Sequence, residues 1–126
     1  MAGGFLAKAE ESLASAESDY GARRYNSCAR SAYYAAFQGA VAALMDAGIR
    51  PANRWEHRFV HSRMSLLARR ERRFPRDLGK SLVAALDLRH LADYSEVMLG
   101  RRQASRSLEV ARRLVNLAGG ESHGDS

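Results

Sequence analysis

The chain has one cysteine (Cys28), two prolines (Pro51 and Pro75) and only two lysines (Lys8 and Lys80) among its 20 basic residues. A single thiol excludes an internal disulfide. Cys28 falls within an apolar stripe, so a buried thiol in a reducing, cytoplasmic setting is expected. Two prolines leave long stretches free to continue as helix. No run of β-branched residues alternates with polar ones, which removes the usual signature of a sheet. No apolar run approaches the length of a membrane span, and the first residues lack the basic-then-apolar pattern of a secretory signal. The patterns G-x-x-x-x-G-K-[ST], G-x-S-x-G and C-x-x-C are absent, so the common phosphate-loop, nucleophile and dithiol signatures do not apply.

What is present is a helix-forming composition. Alanine, leucine, arginine and glutamate dominate, and 126 residues suffice for one domain burying roughly two-thirds of its extended-chain surface. A single domain over 1–118 is expected, with "GGESHGDS" at 119–126 as a disordered tail. Charge is uneven. Residues 1–22 set Lys8 against Glu10, Glu11, Glu17 and Asp19, a net −3, so the rest of the chain carries +9 against an overall +6. The arginine bias supplies planar forks matched to phosphate, and genomic base composition produces the same bias without function.

Hydrophobic spacing predicts five helices. The first covers 4–20, with Phe5, Leu6, Ala9, Leu13 and Ala16 on one face and a break at Tyr20-Gly21. The second, over 22–47, is the strongest and spans roughly 39 Å if continuous. Its apolar set runs from Tyr25 through Cys28, Ala29, Ala32, Tyr33, Ala36 and Phe37 to Leu44 and Met45, and Gly48 follows as a C-terminal stop. A third helix is expected from Asn53 or Arg54 to Arg73, ended by Phe74-Pro75. The fourth runs from Arg76 or Asp77 to about Asp93, and the fifth covers 101–118 beyond Gly100. The fold class is all-α, an antiparallel bundle of four or five helices with short connections.

Several constellations carry possible chemistry. On the second helix, Ser27, Arg30, Ser31, Tyr34 and Gln38 recur at three- and four-residue steps, a polar stripe suited to a phosphate or a base edge. A tyrosine whose hydroxyl reaches water from the core edge is the plainer alternative for Tyr34. In "LRHLADYSE", Arg89 and Asp93 stand one turn apart with His90 and Tyr94 beside them. Either this is an intrahelical ion pair, or Asp93 aims the Arg89 fork at an anion. The densest cationic run, "ARRERRFPR", holds Arg69, Arg70, Arg72, Arg73 and Arg76. It is either a nucleic-acid footprint or a helix end complementing the macrodipole. His57 and His61 have a spacing that can grip a metal, but H-E-x-x-H is not formed and no further ligand is evident. No metal or cofactor is expected.

The segments "YNSCARSAYYAAFQGAVAALMDAGI", "WEHRFVH" and "DLGKSLVAALDLRHLADY" together resemble the HEPN family of small prokaryotic all-helical domains. The likeness extends from about residue 5 to about 118, and "YYAAF" and "LRHLADY" are its most specific pieces. The resemblance implies a four- or five-helix bundle that dimerises and forms a cleft between subunits. It also implies a role as a ribonuclease or toxin, as a partner of a minimal nucleotidyltransferase antitoxin, or as a non-catalytic RNA- or nucleotide-binding module.

Catalytic relatives carry an arginine, often followed by a polar residue, and a histidine a few residues on. Here His90 follows Arg89, but Asp93 and Tyr94 stand downstream in place of a histidine. Ser31 and Gln38 occupy positions where relatives often have arginine and histidine, and Gln38 exchanges no proton near neutrality. Arg50 with His57, and Arg54 with His61, repeat the arginine-to-histidine spacing elsewhere, with Pro51 and Trp55 following those arginines.

The expected function is therefore an RNA- or nucleotide-binding component of a toxin–antitoxin or defence-type module. Arg30, Tyr34, Gln38, Asp93 and Tyr94 would form the ligand site, and the Arg69–Arg76 run would add electrostatic attraction. One alternative is a metal-independent endoribonuclease using Arg89 with His90, His57 or His61. The other is a helical adaptor for a nucleotidyltransferase. A homodimer, cytoplasmic and away from membranes, is expected in each case.

Overall fold

The computed structural model describes residues 2–120, and five helices account for the secondary structure there: α1 (Ala2–Gly21), α2 (Tyr25–Asp46), α3 (His57–Arg70), α4 (Leu78–Tyr94) and α5 (Arg101–Ala118). None is long and apolar enough to cross a membrane. Of the tail expected at 119–126, only Gly119 and Gly120 fall within the described residues.

The order of elements matches the hydrophobic spacing, while several ends move. The α1–α2 break lies not at Tyr20-Gly21 but two residues later. There Arg23 adopts a left-handed φ of 65°, and Arg24 returns to Asp19 through Nε–Oδ1 at 2.9 Å. At the far end of α2, Gly48 takes a φ of 81° and donates its N–H to Met45 O at 3.0 Å, closing the helix as expected. α3 starts at His57 rather than at Asn53 or Arg54. Trp55 stays outside it, edge-on to Phe5 and Phe59 at 6.3 and 6.0 Å. The same helix stops at Arg70, because Glu71 is extended.

α2 is the central element. Ala35, Ala36, Ala40, Val41, Ala42, Ala43 and Leu44 are all essentially inaccessible, so burial wraps around the helix instead of following one stripe. Small side chains make this feasible, since each neighbour reaches close to the α2 backbone. At Gly39 a Cβ would sit 3.3 Å from the Leu114 carbonyl carbon of α5. α1 covers a second side of α2 with Ala9, Leu13 and Ala16, and α5 contributes Ala104, Leu108, Ala111 and Leu114 to the same core.

Contacts fix the directions of the elements. Arg30 meets Asp93, and Tyr34 meets Arg89, so α4 runs antiparallel to α2. Cys28 lies against Ala104 and Gly39 against Leu114, so α5 runs in the same direction as α2. Consecutive helices α3 and α4 approach so closely at their junction that a Cβ on Gly79 would overlap Ser65 Oγ at 1.7 Å. Cys28 is fully buried, and burial pushes its thiol up to about 11, which makes it an inert core residue.

Candidate functional site

The antiparallel pairing of α2 and α4 brings together residues 63 positions apart. Arg30 Nε donates to Asp93 Oδ1, and Arg30 Nη1 donates to Ser27 Oγ at 3.3 Å. On the other side of the same carboxylate, Arg89 Nε is 3.3 Å from Asp93 Oδ2. Two guanidinium groups thus share one carboxylate, and a positive charge is left over. The Arg89 side chain is 16% exposed, with its guanidinium carbon 4.8 Å from the centroid of the Tyr34 ring. Arg89 Nε is buried and has no hydrogen-bond acceptor among the described residues. Asp93 Oδ2 is near enough for ion pairing but off the N–H axis, so this donor is held against an aromatic face without full satisfaction.

Arg30, Tyr34, Arg89 and Asp93, read from the sequence as site residues, therefore form one cluster. Asp93 is both an intrahelical partner of Arg89 and the anchor that fixes Arg30 from the facing helix. Tyr34 is 40% exposed. Its ring supports Arg89, so the reading of a tyrosine that merely caps the core is too simple. His90 and Tyr94 lie at the edge, both exposed, with ring centroids 5.9 Å apart.

Gln38 does not join this cluster. Its side-chain amide meets Ser12 Oγ of α1 at 2.9 Å. The amide orientation that suits its neighbours turns its nitrogen, with two protons to donate, toward Lys8 O, Ser12 Oγ and Tyr34 O, at 3.1, 2.9 and 3.2 Å. It stitches α1 to α2. The polar stripe on α2 is therefore divided: Ser27, Arg30 and Tyr34 turn toward α4, and Gln38 turns toward α1.

The arginine run is divided as well. Arg69, Arg70, Arg72 and Arg76 are exposed. Arg73 donates to Glu71 Oε1 at 3.0 Å and to Leu117 O at 3.2 Å, and lies over the Phe74 ring. It ties the α3–α4 connection to the end of α5. Four of the five cations remain available to an anionic partner.

The histidine pair takes a role that spacing does not reveal. The buried Tyr33 hydroxyl is 2.6 Å from His57 Nδ1 and 2.8 Å from His61 Nε2, so both rings turn toward a phenol of α2. Among the described residues no group of three or more histidine, cysteine, aspartate or glutamate side chains has an arrangement that holds a metal ion. Burial foremost, then Arg89 and His90, holds His57 below the ordinary imidazole range. Burial also lowers His61 to about 4, and both shifts favour the neutral ring. Arg54, which sequence spacing sets ahead of His61, reaches Glu56 at 3.5 Å.

Hydrophobic spacing gives Tyr33 only a core-filling role. A phenol on an apolar stripe carries no mark of its hydroxyl's partner. The one available signal is a pair of histidines at i, i+4 with no carboxylate or cysteine to complete a ligand set.

No curated protein matches the chain. The family model for the HEPN domain matches residues 2–121, a span that takes in all five helices, both arginines of the cluster and the Tyr33–histidine group. The chain belongs to the HEPN domain family.

Proposed function

We propose that the chain binds RNA or a nucleotide through the Arg30–Arg89 cluster, as the binding component of a toxin–antitoxin or defence-type module. The observation that carries this reading is the sharing of Asp93 by two arginines from facing helices. The carboxylate orients both forks and neutralises only one of them, and the buried Arg89 Nε lacks an acceptor among the described residues. A phosphate oxygen supplies the missing charge to the part of the Arg89 fork that solvent reaches, the side chain being 16% exposed. The exposed Arg69, Arg70, Arg72 and Arg76 add long-range attraction.

The test is fluorescence anisotropy with a labelled single-stranded RNA of mixed sequence. Arg89→Gln keeps the side chain's polarity and removes its charge, and it is expected to weaken binding about tenfold, as for loss of a charge-assisted contact. Equal affinity for the variant and the parent sinks the reading.

The same reading includes a homodimer. Leu91, Tyr94, Val97 and Met98 are exposed beside the cluster, Tyr94 at 79% and Met98 at 77%. A second copy covering this strip would enclose the arginines in a cleft. Light scattering at micromolar concentration is expected to give twice the chain mass, and Tyr94→Lys to halve it. A parent protein that is monomeric throughout this range contradicts the dimer.

A second reading, a metal-independent endoribonuclease, is favoured by one observation. Arg89 of α4 lies on the Tyr34 ring, and the neighbouring Tyr33 holds His57 of α3 through its hydroxyl, so an arginine and a histidine from different helices are brought to adjacent tyrosines of α2. An adaptor role toward a nucleotidyltransferase is supported by no comparable feature.

A further inference from the structure

A concavity of about 700 Å³ runs between α3 and α4, with Arg58, Ser62 and Ser65 on the α3 wall and Lys80, Val83 and Leu86 on the α4 wall. A second, of about 420 Å³, is lined by Arg69, Arg76, Asp77 and Lys80. Lys80 lines both, so the two hollows join into one channel. Arg58, Arg69, Arg76 and Lys80 are all exposed, and none makes an ion pair or a side-chain hydrogen bond with another described residue. The outer hollow sets three cations against one carboxylate. No carboxylate is among the residues lining the inner one.

The channel leads toward the Arg30–Arg89 cluster. Lys80, Val83, Leu86 and His90 follow one another at three- and four-residue steps, so they share one face of α4. That face passes from the groove to His90, whose neighbour Arg89 lies on the Tyr34 ring. Along the helix axis, Lys80 and Arg89 are about 14 Å apart. Phosphates of one stacked strand recur every 3.4 Å or so, and about four steps bridge the two cations. Arg69 and Arg76 extend the path beyond Lys80, which brings the whole to about six nucleotides.

The walls decide what kind of polyanion fits. Packed helices stand about 8–10 Å apart, and α3 and α4 come close, since a Cβ on Gly79 would lie 1.7 Å from Ser65 Oγ. A channel of this width admits one strand and excludes a duplex. Val83 is 45% exposed, and the His57 ring lines the same groove. An apolar side chain and a ring offer surfaces to unpaired bases, which a polypeptide lacks.

We propose that the α3–α4 channel is a track for single-stranded RNA, holding phosphates from the Arg69–Arg76 end past Lys80 and Arg58 to the Arg30–Arg89 cluster. The track rests on the reading that this cluster engages RNA, and it adds the strandedness and the length of the ligand. Lys80 is its central contact, because both hollows meet there.

The experiment is fluorescence anisotropy on the full chain with labelled oligouridylates of about two to about twelve nucleotides. Affinity is expected to rise with length to about six nucleotides and then to level off. A blunt RNA duplex of the longest length is expected to bind at least about tenfold more weakly than the strand. Arg58→Gln/Lys80→Gln, at two exposed positions, is expected to weaken the longest strand by at least about tenfold and to leave the dinucleotide within about twofold of the parent. Its salt slope for the longest strand should fall by about 1.4. Arg89→Gln, by contrast, is expected to weaken short and long strands alike. Affinity that does not depend on length, equal binding of the duplex, or displacement of the strand by polyglutamate at equal charge overturns the track. Strand binding that needs Arg89 but is unchanged in Arg58→Gln/Lys80→Gln also overturns it and leaves the cluster reading standing. A parent that binds no oligouridylate overturns both.

Discussion

The Arg89 guanidinium carbon lies 4.8 Å from the centroid of the Tyr34 ring, across the junction of α4 and α2. The ring occupies one face of the fork, and Asp93 takes one edge. An arginine so held loses little rotamer freedom on meeting a phosphate, and that is the physical content of a prepared site.

Removing the aromatic support tests this arrangement. Tyr34→Ala is expected to weaken RNA binding about three- to thirtyfold, the range of a cation–π contact. Tyr34→Phe keeps the face and is expected to bind like the parent. Anisotropy titrations compare the two, and equal losses would show that the hydroxyl, not the ring, is what matters.

Acid should destabilise the fold through His61. Its ordinary value of 6.5 falls to about 4 in the folded chain, so the unfolded state binds more protons in between. Stability from this group is complete above about pH 6.5 and is lost as pH falls toward 4. His57, also lowered, acts in the same direction. Urea titrations from about pH 7.5 to about pH 4 are expected to show a falling midpoint, and His61→Phe to flatten the decline. An unchanged slope in that variant would place the acid sensitivity elsewhere.

Gly79 sets how closely α3 and α4 approach. Gly79→Ala places a methyl group against Ser65 Oγ and within 3.3 Å of His61 O. It is expected to cost about 1–3 kcal/mol, as overpacking does. Thermal unfolding measures it. A neutral result would mean that the Ser65 hydroxyl rotates aside without strain.

The most complete ion pair contributes little to stability. Arg112 donates to both Glu17 oxygens at 2.6 and 2.7 Å, and joins α5 to α1. Both side chains are about half exposed, so Arg112→Ala is expected to cost less than about 1 kcal/mol, and less again at high salt. A larger loss would show that the aliphatic stem packs against the bundle.

The helices are legible because their apolar residues repeat at three- and four-residue steps, although in the second half of α2 burial no longer keeps to one stripe. Their ends are less legible. Gly21 has the look of a breaker, yet Arg23 bears the left-handed turn. Trp55 fits a helical apolar pattern but lies outside α3 and packs edge-on to Phe5. Arg30, Tyr34, Arg89 and Asp93 are recognisable as residue types with a shared purpose, because forks, rings and carboxylates combine in few ways. Gln38 falls beside them in the sequence pattern because a stripe of polar residues on one helix does not say which neighbour each step meets. The Tyr33–histidine group depends on α3 packing against α2, a relation that no local spacing encodes.

The most direct measurement is the salt dependence of RNA binding for the parent and for Arg30→Ala/Arg89→Ala, from about 50 to about 300 mM. Removing two phosphate-binding cations from a single-strand site should reduce the slope of log affinity against log salt by about 1.4, with a lower affinity at every salt concentration. A slope and affinity that stay at parental values, while the exposed Arg69–Arg76 run alone controls binding, would contradict a phosphate site at Arg30 and Arg89.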